Sequence, residues 1–118
     1  RADALLVMQA ANCNAQIPAK FYEYLRAGRP LLGLADPAGD TAVAMRAAGA
    51  AAMAPLDVAA DIALALVQLV ADMRAGCAPL PSADAVRKAS RRARAQSLAA
   101  LLECAVARTD LPKQTQTP

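Results

Sequence analysis

Histidine is missing from this sequence of 118 residues, and aromatic side chains are scarce, with one Phe, two Tyr and no Trp. Without an imidazole, the chain cannot build within itself a Ser-His-Asp triad, a Cys-His pair or a His-ligated zinc site. Any chemistry must therefore use other side chains or backbone amides. The 33 alanines leave only 31 larger apolar side chains, which suit closely packed helices better than a β-sandwich.

Cysteines are few, and Cys13, Cys77 and Cys104 form no Cys-x-x-Cys pair. This spacing predicts neither a disulfide framework nor a zinc knuckle, and a reducing, cytoplasmic compartment is the simplest interpretation. The longest apolar stretch, residues 58–71, contains two polar residues and is too short to span a bilayer, which leaves peripheral membrane contact open. No secretory signal is visible, and no acidic cluster indicates a metal site, so we expect no cofactor.

Short apolar segments alternate with helical patterns along the chain, which predicts the order β-α-β-α-β-α-α. Because each strand is joined to the next through a helix, the sheet should be parallel with right-handed crossovers. The predicted fold class is therefore α/β, with residues 1–108 as one domain and residues 109–118 as a disordered tail. The predicted strands cover residues 3–8, 30–35 and 51–56, and the first two should be buried on both faces. The predicted helices cover residues 18–27, 40–48 and 57–76, the last two with Asp40 and Asp57 as N-caps. A last predicted helix starts at Ser82.

Three parallel strands are too few for a complete α/β domain, because they leave both sheet edges open and apolar faces uncovered. The first predicted strand also starts close to residue 1, which is Arg and not Met. We therefore expect a partial Rossmann-like domain from the C-terminal part of a longer protein. A small complete domain that dimerises through its sheet is the alternative.

The loop of residues 9–16 and the following helix start form the candidate site, because open parallel sheets bind ligands beyond the carboxyl ends of their strands. Ile17 cannot cap the amides of a helix that begins at Pro18, so those amides remain available to an anion. A cation at Lys20 opposes the helix dipole unless an anion lies nearby. Glu23, about 7 Å along the axis from the helix start at Pro18, could accept two hydrogen bonds from a ribose diol.

A simpler interpretation is that Lys20, Glu23 and Arg26 line a solvated helix face, since charged pairs on helices are common. The sequence IPAKFYEYLRAGRPLLGLADPAGDTAVAMRAAGAA, residues 17–51, nevertheless resembles the donor-binding half of GT-B glycosyltransferases of the retaining group 1, or family 4, type. A Pro-x-Lys start, a Glu-containing helix, a Gly-x-Pro turn, an apolar strand and a Gly-Asp-led helix occur in that family in this order. The likeness extends loosely from Ala2 to about Val106.

The resemblance implies a Rossmann-like domain that binds a nucleotide-diphosphate sugar, with Glu23 holding the ribose. The family's second glutamate, near the transferred sugar, falls here on Ala15. The family's Arg and Lys for the leaving diphosphate, and its acceptor-binding N-terminal domain, would lie upstream, so this chain alone should not catalyse transfer. The implied donor-binding residues are Glu23 for the ribose, Lys20 and the amides around Pro18, Ala19 and Phe21 for the diphosphate, and Asn12, Asn14 and Gln16 for the hexose.

Two rival functions remain open. A non-catalytic α/β interaction module is one, although no cluster of acids at strand ends supports phosphoryl acceptance. A nucleic-acid-binding module is the other, because five basic residues follow one another without an intervening acid. No aromatic residue is interleaved with them, so we favour a solvated face, or one packed on the missing domain, and expect no nucleic-acid partner. The five residues are Arg87, Lys88, Arg91, Arg92 and Arg94.

Overall fold

A computed structural model describes residues 2–50 and 52–109 of the chain. Three parallel strands form one sheet in the order β1-β2-β3, with helices on both faces, which confirms the predicted α/β class and a Rossmann-like arrangement. The predicted tail lies outside the described residues except for Thr109, the last residue of α5. The elements are β1 (Leu5–Met8), α1 (Ala19–Ala27), β2 (Leu31–Leu34), α2 (Asp40–Ala47), β3 (Ala52–Ala54), α3 (Ala59–Ala75), α4 (Ala83–Lys88) and α5 (Arg91–Thr109), with a short 3-10 turn at Ala11–Cys13.

The central strand β2 is buried along its whole length, as predicted from its continuous apolar run. Its Gly33 pairs with Val7 of β1 and Met53 of β3. A Cβ atom on Gly33 would lie 2.4 Å from the sulfur of Met45, whose side chain in α2 is fully buried. The glycine therefore allows α2 to pack directly on the sheet.

The core is divided between the two faces of the sheet, because side chains alternate along each strand. On one face, Phe21 and Leu25 of α1 and Met45 of α2 pack with Val7 and Leu31, and α4 adds partly buried residues to this cluster. On the other face, α3 contributes the buried Leu69 to a cluster with β2 and β3. Helices therefore cover the sheet from both sides.

The prediction that β1 is buried on both faces is wrong. Val7 is buried, but Leu6 and Met8, which alternate with it, are 45% and 58% exposed. These two side chains lie on the face that α3 covers, but α3 packs against β2 and β3, whereas β1 is an edge strand. An apolar strip of β1 is consequently open to solvent.

The predicted N-caps of α2 and α3 are also wrong. Asp40 is the first residue of α2, and the N-cap position is occupied by Gly39, which has no side chain to cap the helix. Asp57 lies one residue before Val58, which occupies the N-cap position of α3. Asp40 instead favours its helix through its negative charge at the positive end of the helix dipole.

The last predicted helix starts at Ser82 as expected, since the Ser82 hydroxyl accepts a hydrogen bond from the amide of Ala85. It is not continuous, however, because α4 ends at Lys88 and α5 begins at Arg91. The Ser90 hydroxyl accepts the amide of Ala93 at 3.2 Å, which starts a second helix. Of all helices in the described ranges, none combines the length and apolar character needed to cross a membrane.

Candidate functional site

The carboxyl ends of the three strands surround a cavity of about 300 Å³. Each strand contributes the segment that follows it, so the first part of the 9–16 loop lies where the sequence predicted. No residue of α1 lines this cavity, which separates it from the predicted donor-binding residues of that helix. Its lining residues are Gln9, Ala10, Ala11, Asp36, Pro37, Pro55, Leu56 and Asp57.

Hydrogen bonds join the 9–16 loop to the segment after β2. The side-chain amide of Asn14 donates to the Asp36 carboxylate at 2.5 Å, and the carbonyl of Asn14 accepts the backbone amide of Asp40. The buried Thr41 hydroxyl donates to the carbonyl of Gln16 at 3.0 Å. The amide of Asn14, predicted to contact a hexose, thus already has a partner, whereas the Gln16 side chain is exposed.

Asp36 is held in its charged form at the edge of the cavity. The backbone amide of Ala38 donates to its carboxylate at 2.8 Å, and Asn14 donates to the second oxygen. Together these two bonds, the Ala38 bond first, lower the pKa of the Asp36 carboxyl below its usual value of 3.8. Across residues 2–50 and 52–109, no group of three or more His, Cys, Asp or Glu side chains is arranged to hold a metal ion.

The start of α1 differs by one residue from the prediction, because Pro18 occupies the N-cap position and Ala19 is the first helical residue. The amide of Phe21 donates to the carbonyl of Pro18 at 2.9 Å, so this amide is not available to an anion. The Phe21 side chain is buried in the core. Ala19 and Lys20, the other residues of the predicted anion site that carry a backbone amide, are exposed.

Glu23 lies in a second depression, of about 310 Å³, between α1 and α5. The exposed side chains of Arg26, Arg91 and Arg94 line the same depression. Glu23 was predicted as a site residue, whereas the two arginines of α5 were predicted to lie on a solvated face or one packed on a missing domain. Their spacing of three residues puts them on one face of a helix, and this is the only feature of the sequence that could have indicated that both line one site.

Arg94, in the first turn of α5, contacts Tyr22 of α1. Its guanidinium carbon lies 4.2 Å from the centroid of the Tyr22 ring, and that ring also meets Phe21 edge-on, with centroids 5.4 Å apart. A larger cavity of about 460 Å³ adjoins the same stack and shares Tyr22, Ala89 and Arg94 with the charged depression. Apart from its charged rim, this larger cavity is lined mainly by Phe21, Leu25 and alanines.

Two of the five basic residues of the predicted basic helix have an acidic partner. Asp84 forms ion pairs with Lys88, at 2.7 Å, and with Arg87. The hydrogen bond from Lys88, followed by the positive charges of both partners, lowers the pKa of the Asp84 carboxyl. The positive charge of this region is therefore concentrated at the start of α5.

No protein-family model matches this chain, and no curated protein or solved structure matches it at a significant level.

Proposed function

We propose that the chain is the donor-nucleotide-binding part of a GT-B glycosyltransferase, which binds a nucleotide-diphosphate sugar and transfers the sugar to an acceptor. The observation that carries this proposal is the position of Glu23. Its carboxylate is exposed in a depression, and within residues 2–50 and 52–109 it takes part in no ion pair. A carboxylate with this freedom is suited to accept hydrogen bonds from a ligand.

In the proposed complex, Glu23 accepts hydrogen bonds from the two hydroxyls of the ribose. Lys20 lies three residues earlier on α1, about 4.5 Å along the helix axis at 1.5 Å per residue. The diphosphate would lie toward this first turn, where Lys20 and the exposed amides favour negative charge. The exposed side chains of Asn12 and Gln16 are the loop groups proposed for the hexose.

The chemistry follows from the charge that develops on the departing nucleoside diphosphate. Cations and oriented amides stabilise this charge without a metal ion. Transfer itself would require the upstream part of the protein, with its acceptor-binding domain. The exposed apolar strip formed by Leu6 and Met8 supports this proposal, because a further strand and helix would cover it.

Titration of nucleoside diphosphates into the full-length protein tests the proposal. We expect Glu23→Gln to weaken binding by about 10- to 100-fold, because hydrogen bonds to a charged group contribute roughly 1.5–3 kcal/mol. Glu103→Gln changes the other glutamate of the chain, exposed on α5, and should leave the affinity unchanged.

A second ligand isolates the ribose contact. A 2′,3′-dideoxynucleoside diphosphate lacks the two hydroxyls, so it should bind the unmodified protein weakly and should be insensitive to Glu23→Gln. Equal affinity of the two ligands, or an unchanged affinity in Glu23→Gln, would contradict the assignment of Glu23 to the ribose.

A further inference from the structure

The depression between α1 and α5 carries more positive than negative charge. Three guanidinium groups, of Arg26, Arg91 and Arg94, line it together with the single carboxylate of Glu23, so its formal charge is +3 − 1 = +2. In the part of the chain that the structure describes, ion pairs involve only Asp84 with Arg87 and Lys88, and none of these four groups. The excess charge is therefore not neutralised within the described residues.

We infer that this depression binds the phosphate groups of an anionic ligand, and that Arg91 and Arg94 of α5 contact phosphate oxygens in addition to the groups proposed at the start of α1. A terminal phosphate group carries a charge of about −1.5 to −2 at pH 7, so the net positive charge of the depression attracts it. Identification of the ligand as a nucleoside diphosphate rests on the proposed function. The phosphate site itself rests on the arginines and on their arrangement.

The position of the arginines at the beginning of α5 argues for an anion. Arg91, Arg92 and Arg94 occupy the first turn, and this turn contains no acidic residue. Each cation there opposes the positive end of the helix dipole, which is unfavourable unless an anion lies nearby. The Ser90 hydroxyl binds one amide of the turn but supplies no negative charge. A bound phosphate would offset this unfavourable interaction between the arginine side chains and the positive end of the helix dipole.

Arg94 is also held in place before a ligand arrives. Its guanidinium carbon lies over the Tyr22 ring, 4.2 Å from the centroid, and within the described residues no ion pair uses the N–H groups of its planar edge. This planar edge is the part of arginine that binds phosphate oxygens in pairs. The stack alone explains why an arginine is suitable at position 94, but it does not explain Arg91, which lines the depression beside it.

Calorimetric titration of the full-length protein with pyrophosphate, and separately with a nucleoside diphosphate, tests the inference. We expect Arg91→Gln and Arg94→Gln each to weaken both ligands by about tenfold, since a charge-assisted contact to phosphate is lost. Arg92→Gln is the matched control, because it removes the same charge from the same turn, at an exposed residue that does not line the depression. Arg94→Lys keeps the charge and the cation over Tyr22, and far-UV circular dichroism verifies that each variant is folded.

The outcomes separate this inference from the proposed function. Loss of pyrophosphate binding in the Arg91 and Arg94 variants, but not in Arg92→Gln, supports the phosphate site even if dideoxy and ribose ligands bind equally and Glu23 proves irrelevant. Three outcomes would overturn it: undetectable binding of pyrophosphate and nucleoside diphosphate to the unmodified protein, unchanged affinity in Arg91→Gln and Arg94→Gln, or an equal loss in Arg92→Gln.

Discussion

Arg94 and Tyr22 form a contact between α5 and α1, with the guanidinium carbon 4.2 Å from the ring centroid. Tyr22 belongs to α1, immediately after Phe21, which is buried in the core. The contact therefore helps to position the first turn of α5 against α1. It also brings Arg94 and Glu23 into one depression, although 71 residues separate them in the sequence.

Tyr22→Leu is expected to lower the free energy of unfolding, because leucine keeps apolar contact but removes the aromatic face that attracts Arg94. The cation–π part of the loss should be about 0.5–1 kcal/mol. Urea unfolding of Tyr22→Leu, Arg94→Gln and the double variant gives this coupling directly. Strictly additive effects in the double variant would show that the stack contributes nothing to stability.

Thr41→Val should destabilise the protein by about 1–3 kcal/mol, because it leaves the carbonyl of Gln16 without the hydrogen bond from a buried hydroxyl. The volume of the side chain hardly changes, so packing is preserved. Thr41→Ser keeps the hydroxyl and loses one methyl group, at a cost of about 0.8 kcal/mol. Chemical denaturation compares the two variants, and a smaller loss in Thr41→Val than in Thr41→Ser would refute the role of this bond.

The pH dependence of stability should contain a contribution from Asp36. Its pKa is lowered in the folded protein, first by the amide of Ala38 and then by Asn14. A carboxyl with a lowered pKa contributes stability above its unfolded pKa, near 3.8, and this contribution is lost as the pH falls through the folded value. We therefore expect Asp36→Asn to destabilise the protein at neutral pH and to have a smaller effect in acid below pH 3.8.

Titration of the Asp36 carboxyl by NMR provides the direct measurement. In Asn14→Ala the pKa should move toward 3.8 but stay below it, because the Ala38 amide still donates to the carboxylate. A pKa that does not respond to Asn14→Ala would mean that the contact between the loop and the β2–α2 turn is not formed in solution.

Ser90→Ala should cost about 1 kcal/mol, because it removes the hydroxyl that accepts the amide of Ala93 at the start of α5. Ser97→Ala is the matched control within the same helix. The Ser97 hydroxyl donates to the carbonyl of Ala93 at an exposed position, where alanine is the better helix former. Thermal unfolding should therefore show a loss for Ser90→Ala and none for Ser97→Ala, and equal effects would refute the capping role.

The fold could be predicted from the sequence where local pattern determines structure. The apolar runs at residues 3–8 and 30–35 predict two strands correctly, and the helices between them require the parallel sheet. The exposure of Leu6 and Met8 could not be predicted, because it depends on which strands α3 covers. The predicted N-caps of α2 and α3 each lie one residue away from the observed N-cap positions. The reason is that an aspartate near a helix start is favourable both at the N-cap and in the first turn.

The candidate site was predictable only in part, for a related reason. Lys20 and Glu23 share one helix, so helical spacing alone places them near each other. Arg91 and Arg94 line one depression with Glu23 because α5 starts anew after α4 and Arg94 contacts Tyr22 of α1. The local signal for this break is the capping residue Ser90, a weak signal within a continuous run of helix-forming residues.

The open side of β1 has a consequence for handling the protein. Leu6 and Met8 present apolar side chains on a strand that has a neighbour on only one side within the described sheet. Such a strand is a template for pairing with another polypeptide, and uncovered apolar strands are common starting points of aggregation. Preparations of these 118 residues alone should therefore lose solubility as concentration rises, and a lysine in place of Met8 should delay precipitation.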